Sequence, residues 1–268
     1  MGSKENDTSF SARELILTLI DSAASQSLTA RYFVAAGDIF GIDSGSIRVA
    51  LGRLVRDGAL RQVERGVYAL GTRGGTLHRM VRSWWQVESS VKPWTGAWLA
   101  VMSAHLPRSD RRIQRRRERA LGLFGFAPAR TGLWLRPENL TISIQELHNA
   151  LLDLGLDDEA LVFSMRDLHP ADAVDVKALW DRKAIEKKYK RHIKALADST
   201  KRLPDYSDEE AAREVLLLGR EVTRDILLDP LLPESLIDTG LRQQMVNDMG
   251  DYDRLGKPFW RELYQRYN

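Results

Sequence analysis

Hydrophobic side chains near the start of the chain repeat first with helical and then with strand spacing. Apolar positions three and four residues apart predict three short helices, and a later alternation with a period of about two predicts two short strands. The predicted helices cover residues 12–22, 31–40 and 43–57, and the strands cover 60–64 and 67–70. Between the strands, Arg65-Gly66 suits a hairpin turn, because glycine tolerates the backbone conformation that a tight turn requires.

The third predicted helix is the most informative of these elements. Asp43-Ser44 offers an N-cap, and Gly58 a C-terminal stop. At 100° per residue one stripe of the helix is apolar, and it comprises Ile47, Ala50, Leu51 and Leu54. The opposite face carries arginines among small residues. Small residues allow close approach to another surface, and arginines contact phosphates or guanine edges.

Three helices followed by a hairpin is the element order of a winged helix, in which the third helix enters the major groove. Residues 10–72 are therefore predicted to form a winged helix-turn-helix DNA-binding domain. The candidate DNA-binding residues on the helix are Arg48, Val49, Gly52, Arg53 and Arg56, and those on the wing are Arg61 and Arg65. The alternative is a winged helix that serves as an interaction module without operator specificity.

The middle of the chain follows a second pattern. Residues 73–95 are predicted to form a linker and connecting helix, and residues 96–168 show the order β-α-β-β-α-β of a ferredoxin-like domain. Its first helix, 109–124, has Ile113, Ala120, Leu121 and Phe124 as its predicted inner face. Its other positions are almost all basic. These are Arg111, Arg112, Arg115, Arg116, Arg117 and Arg119. They form either a solvated face or, as their mutual repulsion favours, a surface for an anionic partner, for which DNA, an acidic surface of the C-terminal domain and a phosphorylated ligand are equally possible.

Residues 169–268 are predicted to form an all-helical domain. Apolar spacing predicts helices over 174–197 and 258–267, and Ser207 with Glu210 forms a capping box for a helix between them. That middle helix must end at Asp229, because the following Pro230 disfavours helical geometry in the residue before it. The predicted fold class is thus a multidomain α+β protein with a winged helix, a ferredoxin-like domain and a helical C-terminal domain.

Charge is divided unevenly along the chain. Residues 1–136 carry 21 basic and 11 acidic residues, whereas residues 137–268 carry 19 and 26. A basic first half suits a polyanionic partner. The alternative is that solvated charged residues are segregated along the chain by chance.

Composition and motifs indicate no enzymatic chemistry. The absence of cysteine excludes disulfides, thiolate metal sites and thiol nucleophiles. The five histidines are scattered, with no metal-binding pair, and no nucleotide-binding or hydrolase motif is present. We therefore predict no enzymatic activity, no cofactor and no metal. No apolar run approaches the roughly 20 residues of a membrane span, and no signal sequence is apparent, which predicts a cytoplasmic protein without a membrane partner.

Several segments resemble the PaaX family of transcriptional regulators, the repressors of phenylacetate and related aromatic pathways. The segment from Ser46 to Gly58 and the wing ending in Val67-Tyr-Ala-Leu70 resemble that family's DNA-binding helix and wing. Further matches follow in the same order along nearly the whole chain. They are Trp94-Thr-Gly-Ala-Trp-Leu99, Phe124-Gly-Phe126, Gly132-Leu-Trp-Leu-Arg-Pro137, Asp229-Pro-Leu-Leu-Pro-Glu234 and Leu263-Tyr-Gln-Arg266.

The resemblance implies a repressor that acts as a homodimer and binds an inverted-repeat operator in double-stranded DNA. It also implies a Cas2-like middle domain and release from DNA by an effector, typically an aryl-CoA thioester or a related aromatic acid. Trp94, Trp98 and Trp134 are candidates for stacking on such an effector, with core packing as the alternative. The effector-binding residues remain unassigned.

Two departures from the family pattern matter. A Cas2-like metal-dependent nuclease, the enzymatic alternative, would need an Asp at the end of the first strand, where this chain has Met102-Ser-Ala-His105. The stretch between Asp238 and Lys257 lacks the tryptophan-glycine expected after the proline corner, which leaves the effector's identity open.

Overall fold

The computed structural model describes residues 10–23, 27–72, 75–107, 109–167 and 176–268. These residues form a mixed α+β protein with two small antiparallel sheets and a helical C-terminal region. Contacts divide the chain into two compact units. The N-terminal unit comprises Met1–His78, Ala195–Glu221 and Met249–Asn268, and the central unit comprises Arg79–Lys194 and Val222–Asp248. Residues 195–221 and 249–268, which were predicted to belong to the helical domain, therefore form one compact unit with the N-terminal segment.

The N-terminal unit contains the three helices and the hairpin that the sequence predicts. Its elements are α1 (Ala12–Ser22), β1 (Ser27–Thr29), α2 (Ala30–Ile39), α3 (Ser44–Arg56), β2 (Leu60–Glu64) and β3 (Val67–Leu70). The short strand β1 has no signal in the apolar pattern, and it forms by pairing with β3, with Ser27 opposite Ala69. The resulting sheet has the order β1-β3-β2.

Local caps begin these helices where the sequence places them. Ser11 and Glu14 form a reciprocal capping box at α1. Thr29 Oγ1 accepts from the Tyr32 amide at 3.1 Å, and Asp43 Oδ1 accepts from the Ser46 amide at 2.9 Å. Each cap satisfies one of the backbone donors that a helix N-terminus leaves unpaired.

One hydrophobic core joins the helices of the N-terminal unit. Leu15 and Ile16 of α1, Phe33 of α2 and Leu51 of α3 are almost fully buried in it. Burial of each such side chain stabilises the fold by about 1.5–3 kcal/mol. Three residues of the C-terminal region also pack against this core, namely Trp260, Leu263 and Tyr264.

The central unit contains the predicted β-α-β-β-α-β succession, preceded by helix α4 (Gly75–Arg82) and a 3-10 helix (Trp84–Ser90). Its elements are β4 (Trp98–Met102), α5 (Arg111–Leu123), β5 (Ala127–Arg130), β6 (Leu133–Pro137), α6 (Ile144–Leu154) and β7 (Leu161–Met165). The sheet is antiparallel with the order β5-β6-β4-β7. Buried side chains of α5 and α6 pack with Leu99 and Val101 of β4 in one hydrophobic cluster.

The inner face of α5 differs from the prediction at two positions. Ala120 and Leu121 are buried as expected, but Ile113 is 43% exposed. Arg117, predicted with the outer basic positions, is only 4% exposed. Its Nε donates to Asp157 Oδ2 at 2.6 Å, and this pairing makes burial of the charge tolerable.

The C-terminal helices are α7 (Arg182–Arg202), α8 (Asp208–Leu227) and α9 (Thr239–Tyr267), with a short 3-10 turn (Leu203–Asp205) after the first. The predicted start of the first of these, Val174, lies outside the described residues. The helix begins only at Arg182, because Asp181 Oδ1 accepts from the Ala184 amide at 3.0 Å and acts as an N-cap. Residues 178–181 just before it are not helical, so the single helix predicted over 174–197 is interrupted there, whereas the capping box of Ser207 and Glu210 is present.

The last helix is much longer than the predicted 258–267. Pro258 lies inside α9, and Gly250 and Gly256 also lie in its interior. The low helix propensity of these three residues argues against a continuous helix. Tertiary packing overrides that propensity, since Met245 and Tyr252 are buried along the helix. A Cβ at Gly256 would lie 3.1 Å from Val215, which shows that this glycine permits a close approach of α8.

Within the described ranges, no helix has an apolar stretch long enough to cross a membrane.

Candidate nucleic-acid interface

Helix α3 has two chemically distinct faces. The predicted apolar stripe is confirmed, because Ile47, Ala50, Leu51 and Leu54 are the buried residues of the helix. All five predicted DNA-binding residues of α3 are exposed on the other side, namely Arg48, Val49, Gly52, Arg53 and Arg56. The hydrophobic core therefore fixes which side of α3 faces outward.

Between its arginines, the exposed face of α3 carries only short side chains. Val49 is 54% exposed, and a Cβ added at Gly52 would meet no atom within 4 Å. No packing requirement within the described residues explains a glycine at position 52. A glycine in a helix interior costs about 0.5–1 kcal/mol relative to alanine, so its presence is consistent with a surface that another molecule approaches closely.

The arginines of this face have few intramolecular partners. Arg48 Nη1 donates to Ser44 Oγ at 3.3 Å, which leaves its other donors available. Arg53 and Arg56 lie in the last turn of α3, and their side chains form no ion pair within the described residues. Cations at a helix C-terminus interact favourably with the helix dipole, by about 0.3–1 kcal/mol each. Their position is therefore compatible with stability and leaves the guanidinium groups free to bind an anion.

The acidic residues at the two ends of α3 are already engaged. Ser46 Oγ donates to Asp43 Oδ2 at 2.6 Å, and this bond and the Ser46 amide hold the pKa of Asp43 below its usual value. Arg13 Nη1 lies 3.3 Å from Asp57 Oδ2, and both side chains are about half exposed. Each of these carboxylates therefore already has a partner within the protein.

The hairpin after α3 carries the remaining predicted contacts. Leu60 anchors β2 in the core, whereas the rest of that strand is exposed, Arg61 included. Arg65 is exposed at the turn, where Gly66 has a φ of 80°. The register shifts between Gln62 and Glu64, so the tip of the hairpin is irregular. The structure thus places both wing arginines on the surface, as predicted.

The candidate effector-stacking tryptophans contribute to packing. Trp98 is 3% exposed and stacks on Trp180 at a centroid distance of 6.3 Å. Trp94 packs edge-on against Trp98, and Trp134 packs against the core of the central unit. Trp98 therefore has no free face for an aromatic ligand, which favours the core-packing alternative for it.

Two histidines have carboxylate partners that sequence reasoning missed. His78 Nδ1 lies 2.7 Å from Asp21 Oδ1 in the N-terminal unit, and His192 Nε2 lies 2.8 Å from Asp225 Oδ2 in the central unit. The partners are 57 and 33 residues apart, so no local pattern identifies them. His192 and Asp225 are both buried, which is typical of a structural pair. No cluster of three or more potential metal-ligating side chains occurs in the described part of the chain.

The fold has a counterpart of known structure. The uncharacterized protein Rv0674 from Mycobacterium tuberculosis matches with a TM-score of 0.56 and 22% sequence identity, over 92% of this chain and 99% of the other. No protein-family model and no curated protein matches the chain. At this identity, the likeness shows a shared fold and carries no information about activity.

Proposed function

We propose that this protein is a sequence-specific transcriptional repressor that binds double-stranded DNA through α3 and the following hairpin. The observation that carries the proposal is the division of α3 into a buried apolar stripe and an exposed face with Arg48, Arg53 and Arg56. A helix held by its apolar side and bearing unpaired arginines on the other is suited to the major groove.

The arrangement of elements supports a winged-helix assignment for residues 10–72. Helix α3 would act as the recognition helix, with Val49 and Gly52 allowing it to approach the base edges. Arg61 and Arg65 on the hairpin would contact the flanking backbone, where they add affinity without sequence information. In the central unit, the antiparallel β5-β6-β4-β7 order and the two helices support the ferredoxin-like, Cas2-like assignment.

The resemblance to PaaX regulators extends this proposal. It supports a cytoplasmic homodimer that binds an inverted repeat and leaves DNA when an aryl-CoA thioester or aromatic acid binds. Such an effector shifts the equilibrium only through its different affinities for the DNA-competent and DNA-incompetent states.

The enzymatic alternative, a Cas2-like nuclease, receives no support from the carboxylate nearest to β4 in the sequence. Asp110 Oδ1 accepts from the Arg112 amide at 2.7 Å and the Ile113 amide at 3.2 Å, and so caps α5. A magnesium-dependent cleavage assay with duplex DNA tests the nuclease directly.

The test of the repressor is a DNA-binding measurement with the full chain. Selection from random duplexes identifies any preferred sequence, and fluorescence anisotropy with excess competitor DNA then gives its affinity. Arg53→Ala and Arg56→Ala should each weaken specific binding by about 1–3 kcal/mol. Arg261→Ala removes an exposed arginine from α9 and should leave specific binding unchanged.

The same assay with phenylacetyl-CoA tests the effector. Loss of binding on adding the thioester supports an aryl-CoA-responsive repressor, whereas unchanged binding retains the repressor and excludes this effector. If Arg53→Ala and Arg56→Ala bind as tightly as the wild type, the placement of α3 in the groove is wrong. If no duplex is selected, an interaction module becomes the better interpretation.

A further inference from the structure

Helix α5 carries a second concentration of positive charge, on the central unit. Five of its six arginines are exposed, and only Arg117 is buried. We name the exposed group the arginine stripe, and it comprises Arg111, Arg112, Arg115, Arg116 and Arg119. At 100° per residue, these five positions fall within an arc of about 140° along roughly 12 Å of helix.

Within the described part of the chain, the stripe has almost no carboxylate partner. None of its five guanidinium groups forms an ion pair within the described residues. The one acidic side chain of α5, Glu118, accepts a hydrogen bond from Gln114 at 2.9 Å. Asp157, in the segment after α6, is hydrogen-bonded by Arg117 on the buried side, and the charge of Arg116 also helps to lower the pKa of this carboxyl. The other four guanidinium groups of the stripe are exposed to solvent without a carboxylate partner among the described residues.

This arrangement works against the stability of α5 itself. Arg111 and Arg112 lie in the first turn, at the positive end of the helix dipole. Arg111 with Arg115 and Arg115 with Arg119 are like-charged pairs four residues apart, which destabilise a helix. A solvated face selected only for solubility would intersperse acidic residues, as α9 does with Asp253 and Lys257. The stripe thus indicates an anionic partner.

We infer that the arginine stripe is a second DNA-contacting surface, which binds the phosphates of duplex DNA without sequence preference. The inference rests on the proposed DNA-binding function and adds a site on the central unit. All the cations on α5 are arginines, whose planar guanidinium binds phosphate oxygens in pairs. Duplex DNA carries one charge per about 1.7 Å of its axis when both strands are counted, so about seven phosphates lie along 12 Å of duplex and several of them are on the side that faces the stripe. A convex helix face matches such an extended polyanion better than it matches a small ligand.

The test uses the salt dependence of binding to a duplex of unrelated sequence. The stripe variant is Arg111→Gln, Arg112→Gln, Arg115→Gln and Arg119→Gln combined in the full chain. Arg116 is retained, because its side chain lies directly over Gly155. The control variant replaces four exposed cations of α9 and so changes the net charge equally, through Arg254→Gln, Lys257→Gln, Arg261→Gln and Arg266→Gln.

The stripe variant should bind the duplex roughly tenfold or more weakly at 0.1 M salt. The slope of log affinity against log salt should become shallower by about 3 to 4, since each phosphate contact contributes about 0.9. Arg115→Gln alone should reduce the slope by about 1. The control variant should keep the wild-type slope. An unchanged slope in the stripe variant overturns the inference, as does an effect confined to duplex RNA.

Thermal unfolding of the same variants excludes an intramolecular partner. The melting temperature of the stripe variant should equal or exceed that of the wild type, because like-charge repulsion is removed and the buried face of α5 is unchanged. A clear fall would mean that the stripe pairs with an acidic surface of the protein itself, which overturns the inference.

Failure of this inference is distinguishable from failure of the proposed function. If Arg53→Ala and Arg56→Ala abolish specific binding while the stripe variant behaves as the wild type, the repressor stands and the second surface does not. If no sequence is preferred but the stripe variant still loses salt-dependent duplex binding, the second surface stands and the sequence-specific repressor does not.

Discussion

Arg117 Nε donates to Asp157 Oδ2 at 2.6 Å, on the side of α5 opposite its exposed arginines. The two residues are 40 positions apart, and this bond links the inner face of α5 to the segment after α6. One of six arginines on the helix thus has a structural role. The helix consequently combines a buried, paired charge with an unpaired, solvent-facing set, and the two sets should respond differently to substitution.

Replacing Arg117 should destabilise the central unit. Arg117→Met removes the ion pair with Asp157, but it also removes the buried Nη2, which has no hydrogen-bond partner among the described residues. The lost pair outweighs this relief because Asp157 is only 20% exposed, so we expect a net loss of about 1–2 kcal/mol. Urea denaturation measures it. The control, Arg115→Met, should change stability by no more than about 0.5 kcal/mol, and equal effects of the two variants would contradict the assignment.

The Arg117–Asp157 pair should also contribute to acid sensitivity. The hydrogen bond from Arg117 holds the pKa of the Asp157 carboxyl below its usual value. A carboxyl group whose pKa is lower in the folded state stabilises the protein above its unfolded pKa and loses that contribution as pH falls through the folded pKa. The melting temperatures of the wild type and Arg117→Met should therefore differ at neutral pH and converge only as pH falls through the lowered folded-state pKa of Asp157. A constant difference down to the acid limit would show that the pair contributes no pH dependence.

Substitutions at Gly52 should affect the stability of the protein and its proposed DNA binding differently. Because a Cβ at this position meets nothing, Gly52→Ala should stabilise the protein by about 0.5–1 kcal/mol. Gly52→Glu should fold equally well but lose DNA binding, since it adds a negative charge to the face of α3 that we propose enters the groove. Chemical denaturation and anisotropy measure the two effects. Gly256→Ala is the control, and it should gain no stability because its Cβ approaches Val215 to 3.1 Å.

The end of α9 should contribute to the stability of the N-terminal unit. Tyr264 packs edge-on against Tyr32 with ring centroids 5.9 Å apart, and it is a partly buried residue that packs against the hydrophobic cluster around α1, α2 and α3. Tyr264→Ala should lower the free energy of unfolding by about 1–3 kcal/mol. Tyr267→Ala, at a tyrosine that is 37% exposed, should cost clearly less. Thermal melting of both variants provides the comparison, and equal losses would argue against specific packing of Tyr264.

The candidate site and its supporting elements could be predicted because their determinants are local. Asp43 caps α3 and Gly58 follows it with a φ of 72°, so neighbouring residues fix both ends of the helix. The period of the apolar residues fixes which face is buried. Gly66 fixes the hairpin turn in the same local way. Sequence alone thus determined α3, its two faces and the position of the wing arginines.

Only the tertiary structure decided the features that depend on distant partners. Arg117 is buried because Asp157 is placed beside it, although its sequence neighbours are mostly exposed arginines. Helix α9 continues through Gly250, Gly256 and Pro258 because buried packing outweighs their poor helix propensity. Caps and periodicity act over one or two turns, whereas burial and charge pairing act between residues that the chain brings together only when it folds.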